Sequence, residues 1–290
     1  VARAGLLLLV VVLFAAAPTV QGSFALETTA QRTRGFFSAS SIAGDTLARR
    51  IDIHLTDARG ITLRRYDVDM TKRLHLIVVS DDFKTFMHVH PALQGDGHFI
   101  LEQHFPRTGL YHMYADCMPT GFPHQVFRYD LSIGTNGPYR GRDTQPSGTT
   151  VDADRYRVSI NSTSLRAREE TELTLSVTEN GMPARNLHSY LGALAHVVIL
   201  NARDLSYAHV HAAPLQAGAP MRGMSSMRGM SGMSDMKAAA LLDRSPVPPT
   251  MVLHVLLREP GAYRAWVQFR GGASLHVASF VIDARPAGAK

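Results

Sequence analysis

The sequence predicts an all-β protein: two tandem β-sandwich domains behind an N-terminal signal peptide. Three observations predict it. Short stretches alternate apolar and polar residues, as where Ile51, Ile53 and Leu55 flank Asp52 and His54, and turn signals interrupt them about every 8–12 residues. The chain also repeats itself. His75 precedes His88 by 13 residues and His90 by 15, and His196 precedes His209 and His211 by the same intervals. Beyond residue 25 nothing reads as a long helix; Met236 to Leu242 is the one stretch expected to form a turn or two.

Residues 1–25 read as the signal peptide. Arg3 supplies the positive start, Ala4 to Ala17 the apolar run, and small residues follow, with cleavage after Gly22 or Ala25. The run is short for a membrane span, so no stable span is expected after cleavage; an uncleaved anchor is the minor alternative. The expected location is periplasmic or secreted. The chain of 290 residues suits two domains, and 45% hydrophobic content suits ordinary cores. A single cysteine, Cys117, excludes an internal disulfide. The net charge of +6 comes mostly from scattered arginines, not clustered with aromatics, which argues against a nucleic-acid partner.

The first sandwich is expected over residues 26–134. Leu26 to Arg34 reads as loose, and strand alternation starts at Leu47. Asp57 to Gly60 turns, Ile61 to Val68 extends, and LHLIVVSDDFKTFMHVHP (Leu74 to Pro91) reads as a hairpin. Gln94 to Gly97 turns, His98 to Phe105 and Leu110 to Ala115 are strands, and Gln125 to Ile133 closes the domain. Residues 135–153, rich in Gly, Pro, Ser and Thr, read as the linker. The second sandwich, 154–290, repeats the programme. AHVVILNARDLSYAHVHA (Ala195 to Ala212) matches the hairpin at an offset of 121 residues. EPGAYRAWVQF (Glu259 to Phe269) matches RTGLYHMYADC (Arg107 to Cys117) at an offset of 152, and His124 matches His276. The difference of 31 residues is an insertion in the second copy, assigned to residues 213–250.

Two histidines separated by one residue on a strand share a face, so His88 with His90, and His209 with His211, are ready chelating pairs. His75 and His196 join them if the register sets them opposite; a slip of one residue would send them to the other face. His124 and His276 are the fourth candidates. Three or four imidazoles suit copper(II) or zinc(II), and binding should weaken below about pH 6.5, where free imidazole protonates. The plainer reading is that these histidines serve packing, because duplication copies structural residues too. Cys117, Met118, Met113 and Met87 are soft donors near the first set, but the seven residues from Cys117 to His124 are too many for a blue-copper loop. The expectation there is a buried strand-end thiol. Glu102 and Asp116 are the nearest carboxylates and read as solvated strand positions.

The insertion carries Met221, Met224, Met227, Met230, Met233 and Met236, spaced by three with mostly Gly and Ser between. A repeat of three walks round a helix and forms no single stripe. Thioethers select Cu(I) or Ag(I); the rival readings are slippage without function and an oxidation sink.

LHLIVVSDDFKTFMHVHP followed by HFILEQHFPRTGLYHMYADCMPTG resembles secreted bacterial proteins of the YtkA-like or cupredoxin-like β-sandwich group. The resemblance covers Arg73 to Gly134 and, less closely, Ala195 to Asp283. It implies an immunoglobulin-like (cupredoxin-like) fold and a metal-linked envelope role. The Met-rich segment is similar, by composition, to those of periplasmic copper-resistance proteins. The main expectation is therefore an exported copper-binding protein. The alternative is a non-metal immunoglobulin-like module that engages an envelope protein partner. No catalytic residues are expected: there is no nucleophile elbow, HExxH or phosphate loop.

Overall fold

The computed structural model describes residues 33–135, 141–215 and 245–288. It is all-β: two sandwiches in tandem, antiparallel except for one short parallel pair in the second, with no helix among the described residues. The first sandwich has nine strands: β1 (Thr33–Ile42), β2 (Asp45–Asp57), β3 (Tyr66–Asp67), β4 (Leu74–Ser80), β5 (Phe86–Val89), β6 (Ala92–Leu93), β7 (Phe99–His104), β8 (Gly109–Pro119) and β9 (Gln125–Ile133). One sheet runs β1-β2-β7-β6; the other runs β3-β8-β4-β5, with β9 also paired to β8.

The second sandwich comprises β10 (Thr150–Ala153), β11 (Tyr156–Ile160), β12 (Ser164–Arg166), β13 (Glu170–Glu179), β14 (Met182–Pro183), β15 (Leu187–His188), β16 (His196–Asn201), β17 (Tyr207–His211), β18 (Ala213–Pro214), β19 (Thr250–Leu256), β20 (Gly261–Gly271) and β21 (Ser274–Arg285). Its sheets run β10-β11-β13-β19-β18 and β12-β21-β20-β16-β17. Each domain closes the same corner. Tyr111 Oη donates to the Arg107 carbonyl at 2.9 Å, and Tyr263 Oη donates to the Glu259 carbonyl at 2.7 Å. Such a tyrosine corner is a hallmark of immunoglobulin-like sandwiches.

Three boundaries differ from the sequence reading. Ala213–Pro214, inside the span assigned to the insertion, is β18, which pairs with β19 and repeats β6 of the first domain. β1 begins at Thr33, inside the stretch read as loose, because pairing with β2 from Thr33↔Asp57 onward orders a strand too rich in Ser and Ala to alternate strongly. Thr150–Ala153, inside the stretch read as linker, pairs with β11. The rest of the linker is stitched to both domains. Arg142 donates to Asp81 Oδ1 and to the Ala202 carbonyl, each at 2.7 Å. Ser147 Oγ accepts from the Val281 backbone N–H at 3.0 Å. No helix of the described residues is long and apolar enough to cross a membrane.

The apolar runs of β4 and β16 explain how the domains meet. Alternate side chains of β4, Leu74, Leu76 and Val78, fill the first core, and Val197 and Ile199 of β16 fill the second. The intervening ones, Ile77, Val79, Val198 and Leu200, form a third cluster between the domains with Phe83, Tyr114, Leu205, Tyr207 and Trp266. A strand covered on both faces needs no polar face. Phe86 of the first domain stacks on Trp266 of the second at 5.4 Å between ring centres, and Tyr207 of the second stacks on Tyr114 of the first at 4.7 Å. Phe86 corresponds to Tyr207 and Tyr114 to Trp266 in the repeat, so the interface has pseudo-twofold symmetry.

Candidate metal centre

The same outward faces carry histidines at one end. β16 pairs with β17 so that His196 lies opposite His211 and Val198 opposite His209. In the first domain Ile77 lies opposite His88 by the same rule. All six hairpin histidines therefore face the other domain, at the edge of the aromatic cluster. The sets that the sequence places in separate domains meet in one centre. His75 lies 6.1 Å from His196 and 5.6 Å from His209 between ring centres; His88 lies 5.2 Å and 5.5 Å from the same two.

Hydrogen bonds fix which nitrogen of each inner ring is bare. His75 Nε2–H donates to the Asp69 carbonyl at 2.9 Å, and His196 Nε2–H donates to the Tyr190 carbonyl at 3.0 Å. His88 Nδ1–H donates to Gln268 Oε1 at 2.9 Å, and His209 Nδ1–H donates to Asp116 Oδ2 at 3.3 Å. The other nitrogens then present lone pairs inward. His75 Nδ1 stands 2.8 Å from His88 Nε2, His90 Nε2 3.3 Å from His88 Nε2, and His196 Nδ1 3.3 Å from His209 Nε2. His211 Nε2 is buried without a hydrogen-bond partner. Lone pairs at such separations repel unless a cation lies between them; imidazole nitrogens sharing a tetrahedral ion at about 2.0–2.1 Å stand about 3.3 Å apart.

Burial favours the neutral form of five of the rings. It is the leading cause that lowers the pKa of His75, His88, His196 and His211, and the neighbouring histidines add to it. His90, half-buried with His75 and Lys72 nearby, is lowered to about 3. Neutral imidazole is the ligating form, and an imidazole oriented by an outer hydrogen bond is the usual arrangement around a bound metal.

Two expected ligands fall outside the centre. His276 donates through Nδ1 to Asp154 Oδ2 at 2.6 Å and packs on Tyr156 and Phe269. It is a structural histidine, because β21 carries it away from the hairpin. His124 is half-exposed and bonds through Nε2 to Asp116 Oδ1. Burial alone would lower its pKa, but the Asp116 carboxylate outweighs that and raises it; its Nε2 is engaged by that carboxylate and not by the other imidazoles. Cys117 is 1% exposed in the first core, on the opposite face of β8 from Asp116, where burial raises its thiol pKa. Met113 lies in the same core, with Met87 packed against it. The six methionines from Met221 to Met236 lie outside the described residues.

Asp116 overturns its reading as a solvated position. It is 3% exposed and also accepts from Tyr207 Oη at 2.9 Å. Burial opposes its charge, yet bonds from His124 and His209 hold its pKa well below the usual carboxylate value. Asp116 lies opposite His75 on β4, and Gln268 lies opposite His196 on β16. A polar residue at that repeated position, inside an otherwise apolar strand, was the available signal. A third cluster, Asp52, His54 and His98, sits on the outer face of the first domain. Its three candidate ligand atoms lie within 4.8 Å of one another, but its imidazoles stack at 4.3 Å and His98 Nδ1 is already paired to Asp52 at 2.7 Å.

No curated protein matches the chain. Among solved structures it is similar to the Escherichia coli adhesin FdeC, at 12% identity, 87% of this chain, 64% of that one and a TM-score of 0.25. It is also similar to Escherichia coli alpha-2-macroglobulin, at 8% identity, 89% of this chain, 17% of that one and a TM-score of 0.26. Chicken interferon gamma receptor alpha chain follows, at 9% identity, 86% of this chain, 96% of that one and a TM-score of 0.22. The chain thus spans less than two thirds of the first two. Scores of this size leave the ligand of the histidine centre to the chain's own chemistry. The sequence matches a family model over residues 44–132 and 149–286, most of both sandwiches, and the chain belongs to that family, described as the domain of unknown function DUF8832.

Proposed function

We propose that the protein is an exported copper-binding protein of the cell envelope that holds its metal between the two sandwiches. The observation that carries this is the convergence of six histidines whose inner rings are turned, by outer hydrogen bonds, to present bare nitrogens to one another. Imidazole suits copper and zinc, and no packing role requires unprotonated nitrogens 2.8 Å apart. The Met-rich segment adds a Cu(I) preference by its donor type. Its described flanks adjoin the centre: Leu215 follows His211 by four residues, and the Ser189 N–H, next to Tyr190, bonds to the Ser245 carbonyl at 3.0 Å.

The test is copper content and affinity of the purified chain, measured for Cu(II) to exclude the thioethers. His88→Ala and His209→Ala should each lower affinity at least 10-fold, as loss of a metal ligand or its orienting shell does by about 10–100-fold. His276→Ala should leave it unchanged. If copper binds no better to the parent chain than to the doubly substituted His88/His209 chain, the metal reading fails and the chain is better read as an immunoglobulin-like interaction module.

A further inference from the structure

The number of inward-facing nitrogens bears on how many ions the centre holds. Six imidazoles exceed what one tetrahedral ion takes. They divide by strand into two trios related by the pseudo-twofold. In the first, ring centres of His75, His88 and His90 lie 4.7–5.1 Å apart. In the second, those of His196, His209 and His211 lie 4.6–5.5 Å apart, although its three donor nitrogens do not all come within 4.8 Å of one another as those of the first do. Three rings on one ion require centre-to-centre spacings of about 5 Å, given bonds of about 2.0–2.1 Å. A single ion among the four inner rings would leave His90 and His211 idle, and the buried Nε2 of His211 would face nothing. The trios also touch: donor nitrogens of His88, His196 and His209 lie within 4.8 Å of one another.

The halves differ at one outer position. His88 gives its proton to a neutral amide, Gln268, and His209 gives its proton to a carboxylate, Asp116. A carboxylate partner makes imidazole the stronger donor, and a buried negative charge offsets part of a divalent cation's charge. We infer that the centre is binuclear and unequal: the His196/His209/His211 trio binds the first ion tightly, and the His75/His88/His90 trio binds a second more weakly. This rests on the metal reading above and deepens it.

Zinc(II) titration of the full chain tests it, because thioethers of the Met-rich segment compete poorly for zinc. Bound metal is counted after desalting. Two zinc ions per chain are expected, with affinities separated by about 10-fold or more. His90→Ala should abolish the weaker step and His211→Ala the tighter one. The melting temperature of each metal-free variant is compared with the parent's, which separates loss of a ligand from loss of the fold. Gln268→Glu should draw the two steps together by strengthening the weaker, and Asp116→Asn should do so by weakening the tighter. With Cu(II), two ions so close should give a spin-coupled spectrum. One zinc per chain, retained in both His90→Ala and His211→Ala, would overturn the binuclear assignment and leave a single four-histidine ion. No zinc or copper in any form would instead remove the metal reading beneath it.

Discussion

His88 and His209 are each held by a side chain from the other domain, so neither sandwich orients the central imidazole that it contributes. Their burial also makes the chain acid-sensitive. Five rings, His75, His88, His90, His196 and His211, are held neutral in the folded chain, with pKa values below the ordinary imidazole value. The unfolded chain takes up protons at those positions below about pH 6.5. It then binds more protons than the folded state, and stability falls as pH drops, by up to about 1.4 kcal/mol per histidine and pH unit. His124 opposes this modestly: its raised pKa contributes stability at low pH that is lost as pH rises through the folded value. Asp116, with a depressed pKa, contributes stability that disappears only at pH below the usual carboxylate range. Urea midpoints of the metal-free protein should therefore be flat from pH 8 to about 6.5 and fall steeply by pH 5.5. A midpoint unchanged across that window would show that the rings are not held neutral.

At the level of strands, the two tyrosine corners and the two aromatic stacks do separate work. Tyr263→Phe removes one hydrogen bond at the β20 corner and should cost about 1 kcal/mol, visible as a lower denaturation midpoint with metal affinity intact. Trp266→Ala opens a cavity between the domains and should cost about 3–5 kcal/mol. It should also weaken metal binding, because it loosens the face that places Gln268 and His88. Unchanged metal affinity in Trp266→Ala would separate the centre from the docking of the sandwiches. Much of this was legible beforehand. The alternation of β2, the hairpin spacing and the Gly-x-Tyr strand all reflect local geometry that one strand and its neighbour dictate. The convergence of the two histidine sets was not legible, because the seven residues of β4 read alike whether a strand's outer face meets a helix, a second sheet or another domain. Asp116 was misread for the same reason: its burial comes from β17 of the other sandwich. His276 was over-read, since the repeat copies its position but the second copy gives it Asp154 as partner.

For the molecule as a whole, the interface is nearly that of a twofold dimer built within one chain. Cross-paired contacts, Phe86 with Trp266 and Tyr114 with Tyr207, are what a self-complementary patch produces. The linker then fixes the mutual placement: Arg142 bonds both domains, its guanidinium stands 5.5 Å over Phe83, and Arg264 reaches Asp143 at 3.6 Å. Arg142→Ala should loosen docking and lower metal affinity several-fold while each core keeps its own hydrogen bonds. Amide exchange should rise along β4 and β16 and stay unchanged along β2 and β13; exchange that rises everywhere would mean the variant disturbs the cores instead.

A patch that fits its own rotated copy does not distinguish a covalently attached neighbour from one on a second molecule. Shortening the tether between residues 134 and 149 until it no longer spans the gap should make two chains trade halves, the first sandwich of each closing on the second of the other. The exchanged pair would have twice the mass by light scattering and the parent's metal content per chain, because every closed couple rebuilds the same six imidazoles.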